Sequence, residues 1–321
     1  MNSLVCNGNR KQAFWFPLSF GEAALSPHNR LEHTRSLTPV GCRNSFPHAG
    51  VETAEVTGKA PDLLSALHTI DRYPPDLSHP IFAHYPAMKF GERRAVEYFA
   101  QKLERNALAI GGDVLTGPPV QGLPSGANLI CQALHRRLGM EIEVLRVMDP
   151  PDTFESETEF AAYGDYARLD YAARRAMNAD QDVAFDVVKL KGREIVFVND
   201  INVTGSQMER MKALLEKAQP RAIHWLLIVD VVPHIGRRFP HLESEINHSR
   251  FAESDELVAF LRGADLTFTG KIVTRLLSFS IENWSRVCRS LDRATRRAIR
   301  EAILTDGAYS GEAFREKLAI L

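Results

Sequence analysis

Cysteine is scarce in this sequence: four in 321 residues, Cys6, Cys42, Cys131 and Cys288, scattered with no CxxC pair. That spacing offers neither a zinc ribbon nor a disulfide framework, and it suits a reducing cytoplasm. Cys131 falls on a helical pattern and reads as core rather than as a nucleophile. No apolar run approaches the ~20 residues of a membrane span. Phe14-Trp15-Phe16 lacks the basic start and small-residue exit of a signal peptide. Excess charge of one sign is missing as well. With 39 basic and 40 acidic residues the formal net charge is −1, so nothing draws the chain to nucleic acid or to an anionic membrane. Three familiar motifs fail on inspection. In Gly122-Leu-Pro-Ser125-Gly126 the serine stands one position late for a nucleophile elbow. Gly263 to Lys271 has too long a spacer for a P-loop, and Ile272 replaces the Ser/Thr that would hold magnesium. His234, His241 and His248 recur every seven residues, which is not the i, i+4 pair of a zinc helix.

What is present centres on one stretch. Ile195 to Val198 is a run of four apolar residues, the pattern of a strand buried on both faces in a parallel sheet. It stops at Asn199-Asp200, and a short loop through Thr204-Gly205 leads to a segment with Met208, Met211, Leu214, Leu215 and Ala218 at helical spacing. A strand, a tight turn and a helix start form an anion site, because the first helical N–H groups lack partners and carry the positive end of the dipole. Gly205 allows close backbone approach, and the Thr204 and Ser206 hydroxyls add donors. Asp200 lies ahead of that cradle with the wrong charge for phosphate; a carboxylate there suits sugar hydroxyls. The alternative is an ordinary buried strand followed by an N-capped helix.

Apolar strand, two acidic or amide residues, spacer and Thr-Gly resembles the 5-phosphoribosyl-1-pyrophosphate (PRPP) motif of type I phosphoribosyltransferases. One position departs from it: Asn199 stands where the first acid is usual. The Lys89-Phe90-Gly91 segment, the stretch Ala167-Arg168-Leu169-Asp170 through Arg174-Arg175 to Ala184-Phe185, and the C-terminal helical pattern are similar to the ComF-like branch of that superfamily, found beside tellurite-resistance and stress-response genes. The resemblance runs from about residue 85 to the C-terminus. It implies an α/β fold, a Rossmann-like mostly parallel sheet with a C-terminal helical cap and ligand at the carboxyl ends of the strands. It further implies that Asn202, Val203, Thr204, Gly205, Ser206 and Gln207 hold the 5-phosphate, and that Asp200 and Asn199 hold the ribose hydroxyls. Mg²⁺ would arrive on the PRPP phosphates, with no direct protein ligand.

Other segments take their places around that motif. Asp113 to Thr116 reads as a short strand, followed by a Gly/Pro-rich turn and a helix carrying Ile130, Ala133, Leu134 and Leu138. This second strand–loop–helix sits where the family holds pyrophosphate, with Gln121, Gly122 and Ser125 as its backbone donors. The resemblance implies that residues 167–185 are a flap over the site, with Arg174 or Arg175 as the cation for departing pyrophosphate and Arg168 behind them. The alternative is a solvated helix with surface arginines. Glu141 to Met148 and Ile223 to Val229 read as strands, and Ser285 to Ile303 and Ser310 to Leu321 as helices. Arg289, Arg293, Arg296, Arg297 and Arg300 are interleaved with Asp292 and Glu301 and lack stacking aromatics, so they form a solvated face and not a nucleic-acid surface. Residues 1–72 lack lasting periodicity and read as a disordered leader with a short helix at Asp62 to Ile70, followed by an α/β domain over 73–253 and a helical segment over 254–321.

The resulting expectation is a cytoplasmic phosphoribosyltransferase acting on an unidentified nucleophile, homodimeric by analogy, with no nucleic-acid or membrane partner. Asn199 and the acidic stretch between Asp149 and Glu159 favour a second reading, a PRPP- or nucleotide-sensing regulator that retains the cradle without the chemistry. A hydrolase or lyase acting on a ribosyl phosphate is a third.

Overall fold

Five strands form an all-parallel sheet in the order β1-β7-β6-β2-β3. They are β1 Leu64–Ile70, β2 Val114–Thr116, β3 Glu141–Glu143, β6 Glu194–Asn202 and β7 Ala222–Val231; a separate antiparallel ribbon pairs β4 Arg146–Val147 with β5 Val183–Ala184. The computed structural model describes residues 60–148, 169–179, 182–247, 249–251, 253–309 and 311–321. Arg168, His248, Cys6, Cys42, the leader up to residue 59 and the acidic stretch after Asp149 lie outside the described residues.

The two central strands alternate their side chains between two apolar layers, as period-2 geometry requires. Val196 and Val198 of β6 and Leu226 and Ile228 of β7 face one layer. That layer is closed by α1 Pro80–Lys89, α2 Arg93–Ile110 and α3 Gly126–Leu138. Ile195, Phe197, Ile223 and Trp225 face the other, which is closed across the sheet by residues after β5: α5 Val187–Leu190 and α6 Ser206–Leu215. Four consecutive residues of β6, Ile195 to Val198, are therefore fully buried, which is why they read as an unbroken apolar run. Between the ribbon strands lies α4 Tyr171–Ala179, and beyond β7 come α7 Pro233–Arg238 and α8 Leu242–Asn247.

A second apolar cluster gathers the remaining helices, α9 Ser254–Gly263, α10 Gly270–Leu277, α11 Ile281–Ser290, α12 Arg293–Asp306 and α13 Glu312–Ile320, around Trp284. It joins the sheet layer through the end of α1: Phe90 belongs to this cluster, and the Thr269 hydroxyl donates to the Lys89 carbonyl at 2.8 Å. The α/β fold with a parallel sheet and a helical C-terminal region is as the sequence implies.

Three elements differ from expectation. The helix placed at Asp62 to Ile70 is strand β1, so the sheet includes residues assigned to the leader. Parallel pairing with β7 overrides the local pattern there, and Asp62 pins the strand's start by accepting from Ile223 N at 3.0 Å. The strand expected over Glu141 to Met148 is broken, its first part pairing with β2 and its last with β5. The helix over Ser285 to Ile303 is two helices, with Asp292 capping the second by accepting from Thr295 N at 2.8 Å.

Candidate functional site

The strand order sets the location. The chain leaves β2 towards β3 on one side, and leaves β6 towards β7 on the other. Between the carboxyl ends of β2 and β6 the two connections diverge, and such a switch point opens the crevice where ligands bind in open α/β sheets. A pocket of about 150 Å³ lies there. Its walls are residues 199–207, from the end of β6 to the start of α6, Pro118 and Ser125 from the β2–α3 loop, and Lys89, Arg174 and Glu243.

The β6–α6 loop is built for close approach. Gly205 has φ +85°, the left-handed region that glycine alone adopts without strain, and α6 begins there with no side-chain cap. Asn202 braces the turn, accepting from Gly205 N at 3.1 Å while its amide donates to Asp230 Oδ1 at 2.8 Å. Burial raises the Asp230 carboxyl, and the Asn202 bond opposes that. The Thr204 and Ser206 hydroxyls, both buried, stand 3.0 Å apart. Val203 turns its side chain into the core and contributes only its backbone to the loop.

Strand alternation separates the two residues at the motif's start. Asp200 points to the α1 layer, where Tyr85 donates to Oδ2 at 3.3 Å and the Lys89 ammonium forms an ion pair with it. Asn199 points to the α6 layer, and its amide donates to Gln207 Oε1 and to the Ile201 carbonyl, each at 3.1 Å. Because Asn199 is a neutral amide, the pair brings one charge to the pocket, not two.

From Asp200 the ionic network continues. Lys89 also reaches Glu243 Oε1 at 3.4 Å, and Arg174 holds Glu243 Oε2 at 3.0 Å. Arg174, only 4% exposed, further donates to the carbonyls of Leu169 and Pro240 at 2.8 and 3.0 Å. Burial alone would lower the Lys89 ammonium, but Asp200 and Glu243 outweigh it and hold it above the usual lysine range. Burial would likewise raise Glu243, yet Lys89 and Arg174 keep it below the usual carboxylate range. Lys271, at the start of α10, is lowered by burial and by the nearby Lys89 charge, with Glu243 and Asp200 opposing. Lys89 and Arg174 thus pair with Asp200 and Glu243, with Lys271 buried nearby.

Asp200, Asn199, residues 202–207, Ser125 and Arg174 come together around the pocket, while other residues anticipated from sequence do not line it. Gly122 packs against the C-terminus of α12, so that a Cβ there would stand 2.5 Å from Asp306 Cα. Gln121 does not line the pocket, and its side-chain nitrogen is shielded without a hydrogen-bond partner among the described residues. Ser125 lines the pocket, but its backbone N–H, expected as a pyrophosphate donor, is spent with its hydroxyl on a capping box with Asn128 that fixes the start of α3. Arg175 is exposed on the outer face of α4. Cys131 and Cys288 are buried, and burial pushes the first thiol far up and the second to about 11, so neither is an activated nucleophile.

Sequence reasoning missed Tyr85, Lys89, Glu243 and Lys271 as site residues. The first two ride on a helix more than 100 residues before β6, and Glu243 sits in an otherwise ordinary Leu-Glu-Ser-Glu turn of α8. Lys271 belonged to the rejected P-loop segment, where its charge was the only available signal.

No protein-family model matches the sequence. No curated protein matches it either. Among solved structures, a hypoxanthine phosphoribosyltransferase from Staphylococcus aureus is similar at 10% identity and a TM-score of 0.26, over 46% of this chain and 64% of that one. A purine phosphoribosyltransferase from Pyrococcus horikoshii aligns at 14% identity and 0.28, over 44% and 76%. An adenine phosphoribosyltransferase from Thermoanaerobacter pseudethanolicus aligns at 18% and 0.26, over 43% and 79%. The chain spans less than two thirds of the Staphylococcus structure it matches.

Proposed function

We propose that this chain binds PRPP and transfers its phosphoribosyl group to a nucleophile, releasing pyrophosphate. One observation carries the reading: an uncapped glycine turn, the carboxylate of Asp200 and two basic side chains, Lys89 and Arg174, line a single pocket at the switch point of the sheet. The turn suits a 5-phosphate through the N–H groups of α6 and the Thr204 and Ser206 hydroxyls. Asp200 suits the ribose hydroxyls, and Lys89 with Arg174 suits pyrophosphate. Cleavage of the C1–oxygen bond sends the bonding pair to pyrophosphate and leaves a cation-like sugar. Lysine and arginine beside the leaving group neutralise that developing charge, and their buried setting strengthens the effect.

Magnesium fits the protein poorly. Mg²⁺ favours carboxylate oxygens together with phosphate and water. Asp200 is the one carboxylate of the motif and already carries Lys89, and Asn199 adds an amide without charge. Magnesium carried on PRPP therefore remains an expectation of the family resemblance alone.

The commitment of the Asn199 amide to Gln207 and Ile201 favours a second reading, a regulator that senses PRPP or a nucleotide without turning it over. Calorimetric titration with PRPP, ribose 5-phosphate and nucleotides, followed by a pyrophosphate-release assay against a panel of bases, tests both. Tight PRPP binding with pyrophosphate release supports transfer, and binding without release supports the sensor. Indifference to every phosphosugar and nucleotide would remove the basis for either.

A further inference from the structure

The Lys89 ammonium occupies the place beside Asp200 that a bound sugar would need. The pocket is small, about 150 Å³ against the ~300 Å³ at the lower end for small-molecule sites. Its wall includes the Lys89 side chain itself. Ligand hydroxyls that take the Asp200 oxygen now paired with Lys89 must displace that ammonium.

We propose that Lys89 is a built-in counter-cation for the ligand. When sugar hydroxyls take Asp200, the ammonium swings onto the pyrophosphate oxygens, and binding then needs no divalent metal. This rests on the phosphosugar reading above and goes beyond it.

Four observations support the exchange. The first is that Lys89 is held at two points, Asp200 and Glu243, so releasing one leaves the other at 3.4 Å as a pivot. Glu243 is in turn retained by Arg174 and does not lose its neutralisation when Lys89 turns. A second is that the backbone beneath Lys89 is fixed. Lys89 ends α1, its carbonyl accepts from the Thr269 hydroxyl at 2.8 Å, and Gly91 packs so closely on Thr267 that a Cβ would stand 1.8 Å from the Thr267 carbonyl oxygen. Only the flexible four-carbon stem has to move.

The third observation is the charge count. Lys89 and Arg174, which line the pocket, already match the charges of Asp200 and Glu243. A site so balanced keeps no spare negative charge for a free divalent cation, and a released Lys89 ammonium can turn to phosphate oxygens. An acid at position 199 would offer a metal its second carboxylate, but the residue there is Asn199, whose amide is held by Gln207. The fourth is Tyr85, which donates to the same Asp200 oxygen and remains as a partner for it after Lys89 leaves.

The test is titration of the full chain with PRPP in EDTA and again in Mg²⁺, for the wild type, Lys89→Arg and Lys89→Met. The expected results are wild-type affinities within about threefold of each other in the two buffers. Lys89→Met should bind at least tenfold more weakly in EDTA, with partial rescue by Mg²⁺, and Lys89→Arg should stay close to wild type. Lys89→Met leaves Asp200 without its counter-charge, so Lys89→Met/Asp200→Asn supplies a charge-matched version, and thermal melting confirms that each variant folds. Wild-type binding that appears only with Mg²⁺, or a folded Lys89→Met as tight as wild type in EDTA, overturns the proposal and leaves the phosphosugar reading standing. No PRPP binding in either buffer overturns both.

Discussion

Gly236, in α7, lies so close to Val203 that a Cβ added to it would stand 1.7 Å from the Val203 carbonyl oxygen and 2.7 Å from its carbon. The helix after β7 therefore presses directly on the backbone of the turn that precedes α6, and only a glycine permits it. Gly236→Ala must push the two apart, at about 1–3 kcal/mol of stability. The displacement falls on Val203 and Thr204, so phosphosugar affinity should drop by about tenfold or more while the fold survives. Paired thermal melting and PRPP titration check this; an alanine variant with unchanged affinity would show that the turn does not hold the ligand.

Arg174 and Arg175 are neighbours in sequence with opposite surroundings. Arg174 is buried on Glu243 and two main-chain carbonyls, whereas Arg175 is exposed. Arg174→Ala removes one of the two cations from a buried carboxylate, with Lys89 remaining, so a loss of roughly 2–4 kcal/mol is expected. Arg175→Ala should stay within about 0.5 kcal/mol. Urea denaturation of the two variants separates them, and equal losses would contradict the assignment of Arg174 to the interior.

The strand, the turn and the helix around Gly205 were legible because each follows a local rule. Ile195 to Val198 are apolar since both faces of β6 are covered, and Gly205 marks a left-handed turn. The split of Asn199 and Asp200 to opposite faces also follows from strand periodicity, and the pair brings a single charge to the pocket because Asn199 is an amide. Lys89 and Glu243 were illegible for the opposite reason. They meet each other beside Asp200 only because α1 and α8 pack together beside the sheet, and nothing near either residue in the chain encodes that meeting. Strand β1 was misread for a related cause, because its partner β7 lies some 160 residues away. Gly122 was taken for a ligand contact because a glycine that admits a ligand and one that admits a helix look alike in sequence.

Asp306 at the end of α12 gives the fold a defined pH response. Burial pushes its carboxyl up to about 6, with the Ala308 backbone N–H working against that rise. The folded chain therefore retains this proton to a higher pH than the unfolded chain, whose carboxyl titrates near ~3.9. The stabilisation is present in full below pH ~4 and is lost as pH rises through about 6. Asp306→Asn should abolish this loss and, at pH 7, exceed wild type by on the order of 2 kcal/mol. Melting temperatures from pH 4 to 8 read it as a widening gap between variant and wild type; parallel curves would contradict it.

Asn199→Asp separates the two functional readings most directly. Asn199 is only 2% exposed, and its amide nitrogen donates to Gln207 Oε1 and to the Ile201 carbonyl. An aspartate loses both donated bonds and sets a carboxylate oxygen against two acceptors. Gln207 can relieve one clash by turning its amide end for end, but the Ile201 carbonyl cannot turn, so a cost of about 2 kcal/mol is expected. In exchange the motif gains its second acid. A negative charge there stabilises the positive charge that develops on the sugar. If the chain transfers phosphoribosyl groups, the variant should release pyrophosphate about tenfold or more faster than wild type and respond more strongly to added Mg²⁺. A folded variant that binds PRPP yet releases no pyrophosphate at any magnesium concentration would favour the regulator, because the missing acid would then not be what withholds the chemistry.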